Sequence, residues 1–230
     1  MKKITAILLA MGLSVSALAA FTACDNMQSG GPAGVDTEVT KEEFLAAFTL
    51  GENYVCKADA VYEGMGIERW QFKRSGNLFE SCVELLNPDY TPFPGDAPTY
   101  NYVEQDGEKV YYYSPTIKED GVTVDYYRKE ERTESFEDLI YEDLGALFLS
   151  PLLDLDLYTY NAETQAYEAA EVPFEEGSGV KDVSWKFVDN KLVACSYVMI
   201  SNNGEAEMRM PISFTITYGN ATVVLPTNVQ

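Results

Sequence analysis

The alternation of apolar and polar positions along this chain predicts a protein made mostly of antiparallel strands. From Met208 to Tyr218 every second residue is apolar, and polar residues such as Arg209 and Thr215 stand between them. Successive side chains of a strand point to opposite faces, so this spacing predicts a strand with one buried face. Pro211 falls on the polar positions and predicts a sheet edge or a bulge there.

Similar runs, separated by turn residues, predict the other strands. The Asp106-Gly107 pair lies between two of these runs and is a strong signal for a hairpin. The remaining predicted strands cover residues 54–62, 67–74, 78–86, 100–104, 109–114, 122–128, 158–161, 166–170, 183–188 and 192–200.

Two helices are predicted among the strands. Thr40, followed three residues later by Glu43, matches a capping box and predicts a short helix that ends at Gly51. Apolar residues at helical spacing predict a longer helix from Thr133 to Pro151. The whole pattern predicts a β-dominated α+β fold: a single curved antiparallel sheet, or half-barrel, with two helices packed on its concave face.

The first 24 residues match an export signal. Two lysines precede an uncharged stretch from Ile4 to Ala20, and Thr22-Ala23-Cys24 follows shortly after. This ending resembles the lipobox of bacterial lipoproteins, in which the cysteine is diacylated and the chain is cut before it. Phe21 departs from the leucine that is usual at its position. An ordinary secretory signal cut near Ala19 or Ala20, and a retained helix, are the alternatives.

The lipobox reading divides the chain into three parts. Residues 1–23 are then a signal peptide, 24–38 are a flexible glycine-rich tether, and 39–230 are a single domain. Two acyl chains on Cys24 are enough for stable anchoring. We therefore expect a domain held by lipid on the extracytoplasmic side of the cell membrane, which is the cell surface in a single-membrane bacterium.

Composition narrows the possible functions. The chain contains no histidine, which excludes Ser-His-Asp, Cys-His and His-zinc sites. The net charge of −21 repels phosphate backbones, so we expect no nucleic-acid partner. Asp154 and Asp156 could ligate calcium, but the sequence around them matches no EF-hand loop. We expect a monomer that is not an enzyme and has no catalytic residue, cofactor or metal.

Three cysteines remain besides Cys24, and an odd number cannot form a complete disulfide framework. Cys56, Cys82 and Cys195 each lie in an apolar run, which is typical of small buried side chains. A single Cys56–Cys82 bridge is left open, because their two segments are close together in a meander.

Five aromatic residues on the regular faces of their strands are the candidate ligand-binding set. They either line an apolar pocket or form ordinary core between sheet and helix. The tyrosines at 111–113 and 126–127 either form a strip for a glycan or protein partner, or reflect strand propensity alone. The candidate ligand-binding residues are Trp70, Phe72, Trp185, Phe187 and Phe214.

The lipobox, the tether, an opening helix, the long run of strands and a late helical insertion together resemble a known family. They look like the half-barrel lipoproteins related to the bacterial lipoprotein carrier LolA and to the mycobacterial lipid-transfer lipoproteins. The stretch 212–220 (ISFTITYGN) and the hairpin 183–193 (VSWKFVDNKLV) are similar to segments of such proteins. The resemblance covers 40–230 at the level of the fold.

The resemblance implies a function that the residues alone do not. In that family a concave sheet face, closed by helices, holds acyl chains or other apolar ligands. We therefore expect an anchored protein that binds or carries an apolar or amphiphilic ligand between sheet and helices. The alternative is a surface or structural lipoprotein that binds a protein or glycan and no small ligand.

Overall fold

The fold is described from a computed structural model of the chain. The structure describes residues 39–145, 147–149, 152–174, 178–202 and 207–230. The predicted signal peptide, the predicted tether and Cys24 lie outside these residues.

Eleven strands form one open antiparallel sheet, so the fold is β-dominated as the alternation predicted. Each strand lies where a strand was predicted, with its ends displaced by up to four residues. The strands are β1 (Asn53–Tyr62), β2 (Gly66–Ser75), β3 (Leu78–Leu86), β4 (Thr99–Asp106), β5 (Lys109–Ile117), β6 (Val124–Arg132), β7 (Thr159–Asn161), β8 (Ala166–Pro173), β9 (Gly179–Val188), β10 (Lys191–Asn202) and β11 (Glu207–Tyr218).

Two meanders make up this sheet. Strands β1 to β6 follow one another on one side, β7 to β11 follow one another on the other side, and β1 pairs with β11 between them. The β1–β11 register runs from Tyr54 opposite Tyr218 to Ala60 opposite Ile212. Strands β6 and β7, which are consecutive in sequence, are therefore the two edges of the sheet.

The local signals in the sequence correspond to local features of the sheet. Asp106 pairs with Lys109 at the predicted β4–β5 hairpin. Pro211 lies in a central strand, but the β1 pairing stops at Ile212, so at Pro211 the strand β11 pairs with β10 alone. The missing N–H of proline therefore costs no ladder hydrogen bond on the β1 side.

The described residues form two α-helices, α1 (Lys41–Ala46) and α2 (Phe136–Leu144). The predicted capping box begins α1: the Thr40 N–H donates to Glu43 Oε2 at 2.8 Å, and the Glu43 N–H donates to Thr40 Oγ1 at 3.2 Å. A 3-10 turn (Leu155–Leu157) precedes β7.

Helix α2 is shorter than predicted. It ends at Leu144, and Gly145 caps it by donating its N–H to the Tyr141 carbonyl. A Cβ at Gly145 would stand 2.9 Å from that same carbonyl oxygen. Leu147 and Phe148 still donate to Leu144, so a turn follows the helix where the apolar spacing had predicted its continuation.

Side chains from both helices contact one face of the sheet, which we call the helix-side face. Cys56, Phe72 and Phe214 lie on it, as their pairing shows. The Phe44 ring of α1 contacts Trp185 of β9, with 6.3 Å between ring centroids. At α2, the guanidinium of Arg74 on β2 lies 5.2 Å from the Phe136 ring centroid.

The segment 219–230 packs on the other face, which we call the opposite face. Val223 is buried there against Tyr102, Tyr113 and Tyr127, three tyrosines of β4 to β6. Residues 228–230 then pair with β6: the Tyr127 N–H donates to the Asn228 carbonyl, and the Gln230 N–H donates to the Tyr127 carbonyl. This pairing is parallel.

Replacing Phe44 by alanine should destabilise the protein strongly. Phe44 has no exposed surface and contacts five aromatic rings. Its truncation leaves a cavity, and we expect a loss of about 3–5 kcal/mol in the free energy of unfolding, measured by urea denaturation. Leu45→Ala is the matched control, since Leu45 is the next residue of α1 and is 45% exposed; we expect a change within about 0.5 kcal/mol. Similar losses for both variants would contradict the packing described.

Candidate binding site on the helix-side face

Four of the five candidate ligand-binding residues lie in the packed core. Phe72, Trp185, Phe187 and Phe214 are all buried, and Trp185 has no exposed surface. Trp70 differs from them: it is half-buried and packs against the edge of this core. The sequence correctly assigned all five to strand positions, but it could not separate the covered residues from the accessible one.

Aromatic rings of the helical segments cover three of the four buried residues, and Phe72 instead stacks on Phe79 of β3. Phe48 meets Trp185 with 5.1 Å between ring centroids, and Phe148 meets Phe214 at 5.4 Å. Phe44 lies 5.5 Å from Phe187. These edge-to-face and tilted contacts fill the space above β9 and β11, so this end of the face contributes stability.

Both helices lie towards one end of the sheet. Helix α2 contacts β2 near Arg74, and α1 contacts β9 near Phe187, which pairs with Leu192 at the start of β10. The opposite ends of these strands carry Gly66 on β2 and Met199 on β10. The helix-side face is therefore divided into a covered end and an end that the two helices do not reach.

Seven half-buried side chains occupy the second end, and we call them the Trp70 patch. Pairing across β3, β2, β1, β11 and β10 makes them neighbours on one face. Six are apolar or aromatic and one is acidic. The Trp70 patch consists of Tyr62, Glu68, Trp70, Val83, Leu85, Met199 and Met210.

Small residues lie at the centre of the patch. Ala58 pairs with Trp70 on one side and with Phe214 on the other, and Ala60 pairs with Glu68 and Ile212 in the same way. Both alanines are buried, so the larger side chains on the neighbouring strands cover β1 here. Methionines at the rim add flexible side chains that adapt to differently shaped surfaces.

The one charged group of the patch is half-buried beside a tyrosine. Tyr62 Oη donates a hydrogen bond to Glu68 Oε2 at 3.1 Å. Burial raises the pKa of Glu68, and the hydrogen bond from Tyr62 offsets part of that rise. Burial, together with the charge of Glu68, raises the pKa of Tyr62 to about 12.

Sequence reasoning missed Glu68 and Tyr62, although a signal was present. Glu68 has the same parity as Trp70 and Phe72 on β2, so the alternation itself placed a carboxylate on the apolar face. A charge among apolar positions at strand spacing is a candidate for function, because its burial is costly unless something binds it. The position of Tyr62 beside Glu68 follows from the register of the β1–β2 hairpin. That register can be derived from the sequence only if the length of the turn is known.

A surface pocket lies at the other end of the molecule. It is an open surface pocket of about 400 Å³ between the end of α1 and the β9–β10 turn, with Leu50, Lys191 and Tyr218 in its wall. Asn190 Nδ2 donates to Glu43 Oε1 at 2.6 Å and ties the turn to α1. This hydrogen bond links the cap of α1 to the sheet.

The three described cysteines are free and buried. Cys56 pairs with Phe72 on the helix-side face, whereas Cys82 pairs with Gln71 and lies on the opposite face. A Cys56–Cys82 bridge is thus excluded by the alternation of the strands. Burial raises the pKa of the Cys56 thiol to about 12 and raises that of Cys195 as well, which makes these two thiols poor nucleophiles.

The acidic and tyrosine-rich segments have structural partners. Asp154 and Asp156 both accept from Lys41 Nζ, at 3.1 and 2.9 Å. Across the described ranges, no group of three or more Cys, Asp or Glu residues is arranged to hold a metal ion. Among the tyrosines at 111–113 and 126–127, Tyr113 and Tyr127 are buried under segment 219–230. The side chains of these two tyrosines therefore contribute to packing.

Comparison with known proteins gives no family assignment. The chain matches no family model and no curated protein. Within the described residues, neither helix has the length and apolar character needed to cross a membrane.

Replacing Glu68 by glutamine should stabilise the protein at alkaline pH. The folded state holds the Glu68 proton to a higher pH than the unfolded state does, so its ionisation costs stability as the pH rises through this interval. Glutamine keeps an acceptor for Tyr62 and carries no charge. We expect a higher melting temperature than wild type at pH 8 and a smaller difference at pH 4, measured by circular dichroism.

Glu171→Gln is the matched control, because Glu171 is an exposed acid of β8. It should leave the melting temperature unchanged at both pH values. A lower melting temperature for Glu68→Gln at pH 8 would show that the carboxylate stabilises the fold there.

Proposed function

We propose that this chain is an extracytoplasmic lipoprotein, anchored through a diacylated Cys24, that binds an apolar or amphiphilic ligand at the Trp70 patch. The observation that carries the proposal is the group of half-buried aromatic and methionine side chains at the end of the helix-side face that the two helices do not reach. A contiguous apolar surface is a candidate binding site.

The composition of the patch supports a ligand with a hydrocarbon part. Trp70 offers a large apolar ring on β2, and Met199 and Met210 offer flexible thioethers on β10 and β11. Ligand pockets are lined mainly by such side chains, with a few polar groups that fix orientation. Tyr62 and Glu68 supply those polar groups here.

The fold supports the same proposal. The segment between β6 and β7 contains α2 and the 3-10 turn, and it passes over the helix-side face: the Tyr197 hydroxyl of β10 donates to the Leu147 carbonyl at 3.3 Å. We propose that the sheet curves around this segment, with the helices on its concave face. This would be the half-barrel arrangement of the lipoprotein carriers that the sequence resembles.

The anchor would keep the patch near its source of ligand. Fourteen residues separate Cys24 from Val39, and a fully extended chain of that length reaches at most about 50 Å. A domain on such a tether stays within one molecular diameter of the membrane, where amphiphiles are concentrated.

Lipid attachment at Cys24 is directly testable. Mass spectrometry of the mature protein should give an N-terminal peptide that begins at Cys24 and carries a diacylglyceryl group. Cys24→Ala should yield a chain that has no diacylglyceryl group and keeps its N-terminal apolar segment, because acylation of the cysteine precedes the cut. A mature peptide that begins before Cys24, or an unmodified thiol there, would contradict the proposal.

Native mass spectrometry of the full chain, released gently from membranes, tests ligand binding. We expect a bound mass beyond the anchor itself, and we expect Trp70→Ala to lower its affinity about tenfold or more, since the loss of one central aromatic anchor typically costs that much. Phe93→Ala removes an exposed aromatic side chain of the β3–β4 loop and serves as control. A wild-type protein without ligand, or a Trp70→Ala variant with full occupancy, would count against the proposal.

A partner-binding lipoprotein is the second candidate. The loop 87–98 exposes Tyr90 by 53% and Phe93 by 43%, and such rings are enriched where proteins meet. Crosslinking on intact cells distinguishes the two candidates, because Tyr90→Ala and Phe93→Ala should abolish a specific crosslink if this loop binds a partner.

A further inference from the structure

Glu68 has aromatic neighbours on two sides within the Trp70 patch. Trp70 is two residues further along β2, so both side chains project from the same face. The Tyr62 hydroxyl reaches Glu68 from β1 at 3.1 Å. The residue directly opposite Glu68 on β1 is Ala60, whose methyl group offers no polar contact, so Tyr62 is the polar partner that β1 supplies.

Three other buried or half-buried carboxylates of this sheet are paired with cations. On the opposite face, Asp59 accepts from Arg69 at 2.7 Å, Glu80 from Lys73 at 2.6 Å, and Glu104 from Lys129 at 3.0 Å. Glu68 forms no ion pair with any described lysine or arginine, and its hydrogen-bond partner is the neutral hydroxyl of Tyr62. Three acids on the opposite face thus have a cation beside them, whereas Glu68 on the helix-side face has none.

An unpaired, partly buried carboxylate is costly in the free protein, and the cost falls when a cation approaches. An ammonium group is also attracted to tryptophan and tyrosine rings, because their quadrupoles favour positive charge. An anionic group would instead meet the repulsion of Glu68. The net charge of −21 likewise favours the approach of cations over anions, and it does so over longer distances.

We propose that the polar group of the ligand is a primary or quaternary ammonium, held at Glu68 between Trp70 and Tyr62, with its hydrocarbon part on Met199 and Met210. This inference rests on the proposed function, since it assigns the chemistry of the ligand bound at the same patch. It applies equally to a cationic lipid headgroup and to a free alkylammonium compound, because both present the same group.

Three probes with the same alkyl chain and different head groups test the proposal. Octyltrimethylammonium, octyl sulfate and octyl glucoside are titrated below their micellar concentrations into the full chain, held in nanodiscs of an uncharged galactolipid. Trp70 lies at the site, so tryptophan fluorescence reports binding. Wild type is compared with Glu68→Gln and with Glu171→Gln, which removes the same charge from an exposed position of β8.

We expect the wild type to bind the ammonium probe at least about tenfold more tightly than the sulfate probe. Glu68→Gln should weaken ammonium binding about tenfold, strengthen sulfate binding, and change glucoside binding by less than about twofold. Glu171→Gln should behave as wild type does. A headgroup supplied by lipid would be distinguished from a free compound by whether short-chain phosphatidylcholine competes with the octyl probe.

Three outcomes would overturn the inference. If all three probes bind with similar affinity, or if Glu68→Gln and Glu171→Gln have the same effect, the ammonium assignment is wrong while the apolar site stands. If none of the probes binds, the proposed function fails at this patch and the ammonium assignment fails with it.

Discussion

The pairing of β1 with β11 is the contact on which the rest of the sheet depends. Seven residue pairs, from Tyr54–Tyr218 to Ala60–Ile212, join two meanders that are otherwise separate. The register of this pair decides which face each meander contributes to the core, since a shift by one residue would exchange the faces of one half relative to the other. In the observed register, Cys56 and Ala58 of β1 share a face with Ile216 and Phe214 of β11.

This central pairing also explains why a helical segment crosses the sheet. Because β1 pairs with β11 at the centre, β6 and β7 lie at opposite edges. The two edges are ten strand spacings apart, which is roughly 48 Å along a flat sheet. The chain between them has to pass over one face and cover it with apolar residues on the way. Leu147 reaches β10 and Tyr158 reaches Phe44, so the crossing builds the aromatic end of the core. The end that the crossing does not cover holds the Trp70 patch.

Local patterns predicted the elements, while long-range pairing decided the site. Alternation identified all eleven strands, and the Thr40–Glu43 capping box identified α1. The β1–β11 partnership could not be read from the chain, because no turn connects residues that are about 160 positions apart. From the sequence, Trp70 and Trp185 were therefore predicted to have the same role, and a Cys56–Cys82 bridge was left open. Trp185 is buried and Trp70 is half-buried because the helices lie over only one end of the helix-side face. Cys56 and Cys82 lie on different faces because of their positions along β1 and β3.

The pairing of residues 228–230 with β6 affects how one copy of this protein can contact another through a sheet edge. Tyr127 and Lys129 of β6 donate their N–H groups to this segment, so these positions are not available to a strand of another molecule. The other edge, β7, has three residues and offers a short template. An unpaired sheet edge is a template on which copies of a protein can associate into aggregates. By pairing with β6, residues 228–230 thus act against self-association through this edge.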